Sequence, residues 1–342
     1  MGRLMTEEKF SLLCSLANER GIITATAMDQ RGSLKKALAQ YSQNEVTEKQ
    51  LIAFKTLVSE ILSPHASSIL LDPEYGWPAA KQRADNAGLI MAYEQTGYSA
   101  EDENRMPDLL PEWSVLRLKQ RGAQAVKLLV YYDPDDREEI NTVKQALIER
   151  VGLECKALNL PFFLEPLCYS RHIPDSKGIE FAKVRPHNVR KMMKEFSRPA
   201  YHIDVLKVEV PVNVHYVKGL KANEGHPVAY TLEEAKTLMQ EAAAAAEVPF
   251  IFLSGGVTDE VFIETLEFAG EAQIPFSGVL CGRASWQDGI PVYARHGEAA
   301  LREWLLNVGV KRVQKLNDVL QKNAVAWWNV YGGKERLNIV AG

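Results

Sequence analysis

Charged residues interrupt several short apolar runs of this sequence. Lys127 lies in AVKLLVY (125–131), Glu165 in PFFLEPL (161–167), Lys207 and Glu209 in DVLKVEV (204–210), and Asp29 ends ITATAMD (23–29). An extended chain sends alternate side chains to opposite faces. In DVLKVEV, Leu206, Val208 and Val210 claim one face, which turns Lys207 and Glu209 to the other. By the same alternation Lys127 shares a face with Ala125 and Leu129, Glu165 with Phe163, and Asp29 with Ala25 and Ala27, while SSILLD (67–72) ends in Asp72. Charges are costly to bury unless paired. A set that enters one shared interior is therefore either a sealing ion-pair network or a reactive site, and Asp29, Asp72, Glu165 and Glu209 all fall at or beside the ends of their runs.

The residue types specify a chemistry. An amine held among apolar walls near a second cation loses its proton more readily, and a neutral amine attacks a carbonyl to form a Schiff base. Lys127 and Lys207 supply two amines. Glu165, between Phe163 and Pro166 in sequence environment, supplies a carboxyl suited to moving protons to and from the carbinolamine. Lysine, lysine, glutamate and aspartate on separate runs point to carbonyl chemistry through an iminium, with no metal and no other cofactor required. The seven histidines occur singly, in neither an HxH nor an HExxH pair, so a metal-dependent aldolase or metallohydrolase lacks an evident ligand set.

A second constellation suits phosphate. PFIFLS (249–254) runs into Ser254-Gly255-Gly256, and SGVLCG (277–282) into Gly282-Arg283. Small residues let backbone N–H groups approach an anion, and an arginine adds a bidentate donor. Asp29-Gln30-Arg31-Gly32 offers another arginine across the same mouth, placed either to meet a second phosphate or to pair with Asp29 or Asp72.

The elements that must position these groups follow from the spacing. Eight short apolar runs, the six above with GLIMAY (88–93) included and one pair closing the set at 249–254 and 277–282, alternate with helical patterns at 46–63, 107–121, 136–159, 178–196, 231–247 and 258–270. Thr231 and Glu234 read as a capping box. Strands alternating with helices pair in parallel through right-handed crossovers. Eight such units, with no GxGxxG after Asp29, fit an α/β TIM (β/α)8 barrel better than a doubly wound sheet. The expected organisation is one domain, with the barrel at about 21–310, an extra helix at 6–20, and a C-terminal helical extension at about 311–342. Phosphate-binding loops after the seventh and eighth strands are a recurrent feature of that fold.

Composition agrees with a globular chain: 342 residues, 46% hydrophobic and 25% charged, with a formal net charge of −4. No global positive field exists to hold nucleic acid. Cysteines 14, 155, 168 and 281 form no CxxC pair and read as reduced thiols of a cytoplasmic protein. No apolar run approaches the roughly 20 residues of a membrane span. Met1-Gly2 with Thr6 satisfies a loose myristoylation pattern, but Glu7, Glu8 and Lys9 open an amphipathic helix there. Trp327 and Trp328 near the C-terminus suit either a homo-oligomer interface or packing on the barrel.

The segments AMDQRGSLKK (27–36), SPHASSILLDPEYGWPAA (63–80), AYEQTGY (92–98), VKLLVYYDPD (126–135), LPFFLEPLCY (160–169), DVLKVEVPVNVHYV (204–217), IFLSGGV (251–257) and GVLCGRASW (278–286) carry a resemblance in order along the chain. The sequence resembles the class I tagatose 1,6-bisphosphate aldolase family. The resemblance implies that Lys207 is the Schiff-base lysine and Glu165 the proton-transfer acid/base. It also implies that Asp29, Lys127 and Glu94 line the site, that Ser254 and Arg283 hold phosphate, and that the activity serves carbohydrate metabolism in lactose and galactose catabolism. The implied partner is a small ketose bisphosphate. Pro166-Leu167, Gly255-Gly256 and the C-terminal NVYGGKERLNIVAG depart from the family pattern. Three alternatives stay open at this point: fructose 1,6-bisphosphate or a sulfofructose phosphate as substrate, and a non-catalytic phosphosugar sensor.

Overall fold

A computed structural model describes residues 3–95 and 103–341. Met1 and Gly2 of the acylation pattern, and 96–98 of AYEQTGY, lie outside these. The eight apolar runs become β1 (Ile23–Met28), β2 (Ser68–Leu71), β3 (Gly88–Ala92), β4 (Ala125–Tyr132), β5 (Phe162–Cys168), β6 (Val205–Val208), β7 (Phe250–Leu253) and β8 (Gly278–Cys281). They pair in parallel in chain order and close, β8 on β1, into a barrel. The helices between them are the crossovers that parallel pairing demands.

Two faces of these strands meet two different cores. Ile23, Ala25, Ala27, Leu70, Ile90, Ala92, Ala125, Phe163, Val205, Ile251 and Leu280 fill the barrel interior. Met28, Leu71, Met91, Val126, Leu128, Phe162, Leu164, Leu206, Val208 and Phe252 pack against the helix shell. This is the alternation read from the runs. It places Lys127 two residues above Ala125, Glu165 above Phe163, Lys207 above Val205 and Asp29 above Ala27, all on the interior side, with Lys207 and Asp29 at or just past the ends of β6 and β1 and Lys127 and Glu165 in the middle of the longer β4 and β5.

The helical patterns at 46–63, 136–159, 178–196, 231–247 and 258–270 appear as Glu48–Leu62, Glu138–Ala157, Ile179–Phe196, Leu232–Ala244 and Asp259–Glu271. Thr47 with Gln50, and Thr231 with Glu234, form reciprocal capping boxes. The stretch 107–121 is helical only over Val115–Gln120, opened by a Ser114 cap. Pro107 and Pro111 disfavour helix in the residues before them. The C-terminal part is a bent helix, Gly289–Trp304, carried through a π-turn at Leu305–Gly309 into Val310–Asn323.

Three elements escape the periodicity: helices Gly32–Ala39 and Trp77–Lys81, and a two-stranded parallel ribbon of Leu4–Thr6 with Asn338–Val340. That ribbon and helix Glu7–Ser15 stop the N-terminal end of the barrel. Met5, Leu13 and Leu16 join the interior core there with Trp327, which is fully buried, 5.9 Å from the Phe10 ring and 5.3 Å from that of Trp328. Gly21, at φ +76°, passes so close to Trp328 that a Cβ would overlap the ring. Both tryptophans thus pack on the barrel floor in a 3-10 turn, Trp327–Tyr331, rather than on a C-terminal α-helix. Among the described residues no helix is long and apolar enough to cross a membrane.

Candidate active site

The inward charges converge at the C-terminal mouth. Lys127 Nζ lies 3.0 Å from Asp29 Oδ2, 2.6 Å from Glu94 Oε1 and 2.8 Å from Glu165 Oε2. The same Glu165 Oε2 lies 2.9 Å from Lys207 Nζ, so one carboxylate oxygen stands between two ammonium groups. Five strands, β1, β3, β4, β5 and β6, build this arrangement, and the registers Lys127 opposite Phe163 and Leu129 opposite Glu165 bring β4 and β5 to a common height. Glu94 follows β3 on the face of Ile90 and Ala92, and its Oε2 accepts a hydrogen bond from the Leu129 amide at 3.1 Å.

Burial decides what these charges do. Lys127 is fully buried, and burial alone would lower its pKa. Asp29, Glu165 and Glu94 outweigh that and hold it well above the ordinary lysine value. Burial alone would likewise raise Asp29, but Lys127, and then Lys207, hold its carboxyl well below the ordinary range. Lys127 is therefore a fixed cation and Asp29 a fixed anion. Lys207, with Glu165 as its one ion-pair partner within 4.0 Å among the described residues, is the lysine whose nitrogen is not enclosed by three carboxylates.

Beside the cluster, β7 leads into Ser254, which is buried, and then Gly255 and Gly256 at φ +60° and +82°. Thr258 caps helix Asp259–Glu271 by accepting from the Val261 amide. The Arg283 guanidinium lies directly over Gly256, where a Cβ would stand 2.7 Å from its Cζ. A Cβ on Gly282 would stand 3.3 Å from Gln30 Nε2. Ser254, Gly255, Gly282, Arg283 and Gln30 thus sit in one corner between β7, β8 and β1. A cavity of about 590 Å³ flanks this corner, with Arg185, Glu209, Ser254, Gly255, Gly256 and Thr258 in its walls.

A lysine pair thus shares a carboxylate at the barrel mouth, next to a corner whose glycine backbone and arginine suit an anion. The model of the family described as DeoC/LacD family aldolase matches residues 23–288. The chain belongs to the DeoC/LacD family of aldolases. It is 49% identical over 336 residues to tagatose 1,6-diphosphate aldolase of Listeria monocytogenes serotype 4a, covering 98% of each chain. It is 50% identical over 324 residues to the protein of that name from Staphylococcus epidermidis strain ATCC 12228, covering 95% of this chain and 99% of the relative. A solved structure of fructose-bisphosphate aldolase from Plasmodium falciparum, in complex with TRAP and a small-molecule inhibitor, superposes with a TM-score of 0.68 at 15% identity, over 94% of this chain and 98% of that one. The fold shared there is the TIM barrel, and the chain is an aldolase, a carbon–carbon lyase.

Three charged residues of this aldolase stand elsewhere than their runs suggest. Arg31 is buried, with one guanidinium nitrogen 2.6 Å from Glu74 Oε2 and another donating to the Glu94 carbonyl at 2.6 Å, so it pairs with neither Asp29 nor Asp72. Asp72 turns to Lys55, a fully buried lysine of helix Glu48–Leu62 that also donates to the carbonyls of Met28 and Gln30, both at 2.7 Å. Burial pushes Lys55 below the ordinary lysine value, against the opposing pull of Asp72. Glu209 lies past the end of β6, where its Oε2 accepts from the Cys168 amide at 2.7 Å and Oε1 stands 4.0 Å from Arg185. Lys55 escaped sequence reading because its helix places one lysine among apolar positions, Leu51, Phe54, Leu57 and Val58, without a visible partner. Glu94 was legible in principle, since Ile90, Ala92 and Glu94 alternate onto one face.

The Gly256 geometry carries a test. Gly256→Ala combines left-handed strain with displacement of Arg283. It is expected to raise KM for a phosphorylated substrate about tenfold, a loss of about 1.4 kcal/mol, while kcat falls much less. Steady-state kinetics on the purified variant check this.

Proposed function

We propose that this aldolase is of the class I type and reversibly splits D-tagatose 1,6-bisphosphate into dihydroxyacetone phosphate and D-glyceraldehyde 3-phosphate. The observation that carries the reading is Glu165 Oε2 lying 2.8 and 2.9 Å from Lys127 and Lys207, and the names of the relatives supply the substrate. In the cleavage direction Lys207 gives a proton to Glu165, and its neutral nitrogen attacks the C2 ketone. Glu165 returns a proton to the carbinolamine hydroxyl, which leaves as water, giving the iminium. A carboxylate of the cluster removes the C4 hydroxyl proton. The C3–C4 bond then breaks, its electron pair passes into the iminium to form an enamine, and the aldehyde departs. Protonation at C3 and addition of water release dihydroxyacetone phosphate and restore the lysine.

In this account Lys127 stays charged throughout. It keeps three carboxylates together and adds positive potential where the C2 oxygen and its neighbours bind. Ser254, Gly255, Gly282, Arg283 and Gln30 hold a phosphate, with the Arg283 guanidinium supplying charge. The cationic iminium is the electron sink, so the reaction draws on no bound metal. We place this activity in the cytoplasm, where reduced thiols such as the four free cysteines persist and the proposed phosphosugar would be met.

Purified protein given tagatose 1,6-bisphosphate is expected to release both triose phosphates at an unchanged rate in EDTA. Fructose 1,6-bisphosphate assayed alongside measures discrimination at C4, where the two sugars differ in one hydroxyl orientation. No cleavage of either sugar contradicts the reading, and loss of activity in EDTA contradicts its metal-free form.

A further inference from the structure

A bisphosphate needs a second cation, and most of those around the mouth are already committed. Lys127 is held by three carboxylates, Lys55 by Asp72, and Arg31 by Glu74 and the Glu94 carbonyl. Arg171 lies between Asp136 at 3.3 Å and Glu103 at 2.9 Å. In the cavity beside β6, Arg185 stands 4.0 Å from Glu209 and donates to the Ser176 carbonyl at 3.1 Å. Arg105 differs. Its guanidinium carbon lies 4.6 Å from the Tyr131 ring centre and 5.1 Å from that of Tyr169. Among the described residues it has no hydrogen-bond or carboxylate partner. Stacking on aromatic faces orients a guanidinium while leaving its N–H edge available.

Its position is also suitable. Tyr131 shares the interior face of β4 with Lys127 and Leu129, and Leu129 is level with Glu165. Tyr131 therefore stands two residues, about 7 Å, further out along the strand. In a closed barrel of eight strands, β4 faces β8 across the mouth. Arg105 and Arg283 thus flank the lysine–carboxylate cluster from opposite sides, half-buried and exposed respectively.

We propose that Arg105 receives the phosphate at the end of the sugar remote from the Ser254–Gly256 corner and so selects bisphosphates over monophosphates. The proposal rests on the ketose bisphosphate reading above. The corner follows β7, the neighbour of β6 whose Lys207 bonds C2, so it takes the C1 phosphate and the remote one is on C6. The test compares wild type, Arg105→Ala and Arg105→Lys on tagatose 1,6-bisphosphate and on tagatose 1-phosphate, which lacks the C6 phosphate. The 1-phosphate is followed as a substrate or, where turnover is slow, through its inhibition constant. Loss of one charge-assisted contact is expected to raise KM for the bisphosphate about 10- to 100-fold in Arg105→Ala, with kcat within a few fold. Arg105→Lys should recover part of the loss, and the constant for the 1-phosphate should stay within about twofold in both variants. Equal losses on both ligands would mean that Arg105 only supports the fold, and unchanged constants on both would remove it from the site. Either result overturns the proposal while wild-type cleavage leaves the aldolase reading standing. Failure of wild type to cleave the bisphosphate removes both.

Discussion

Lys207→Met is expected to abolish carbon–carbon cleavage while leaving the fold intact. The side chain keeps its length and apolar stem, and the remaining cluster keeps Lys127 against Asp29, Glu94 and Glu165. What disappears is the nitrogen that forms the iminium. Without an electron sink the C3–C4 bond has nowhere to send its electrons, and the loss should be about a millionfold in kcat, comparable to removing an enzyme nucleophile. A stopped assay with long incubation reads the residual rate, and far-ultraviolet circular dichroism with a thermal melt checks folding. A variant that folds and retains more than a hundredth of wild-type activity would mean that another residue carries the chemistry.

Lys127→Met should act first on stability. It leaves Asp29, Glu94 and Glu165 buried with Lys207, and Lys55 acting on Asp29 from further off, to offset them, and removing one member of a buried charged group costs about 3–5 kcal/mol. The pH dependence separates charge from packing. Asp29 is held below its ordinary value, so its contribution is present above the unfolded value of about 3.9 and is lost as the pH falls through that value and below. Lys127 is held above its ordinary value, so its contribution is present below the unfolded value of about 10.4 and is lost as the pH rises through its raised folded value. In Lys127→Met the carboxylates repel one another when ionised and are relieved by protonation. The deficit against wild type, followed by urea denaturation, should therefore be largest near neutrality and narrow towards pH 4. A deficit independent of pH would mean that only packing was lost.

The barrel was legible because its strands are short, apolar and separated by helix-length spacers, and all eight runs form strands within a residue or two of their ends. The interior charges were legible because a single alternation governs a whole strand: Val205 inside requires Lys207 inside, and Leu206 and Val208 then meet the helices. That rule stops where the strand stops. β2 ends at Leu71 and β6 at Val208, so Asp72 and Glu209 are already loop residues, free to turn to Lys55 and to the Cys168 amide. The Leu4–Thr6 and Asn338–Val340 ribbon was not legible, since each strand is three residues long and its partner lies over 300 positions away. Arg31 shows the same limit. Its partners, Glu74 and the Glu94 carbonyl, are set by three-dimensional closure of β1, β2 and β3 rather than by neighbours in sequence.

The central claim is a covalent bond between Lys207 and the substrate carbonyl, and reductive trapping tests it most directly. Protein incubated with dihydroxyacetone phosphate and sodium borohydride, digested and sequenced by mass spectrometry, should carry the reduced adduct on Lys207 and lose activity in proportion, with Lys207→Met unlabelled. An adduct confined to Lys127, or no adduct on any lysine of an active preparation, would contradict the account.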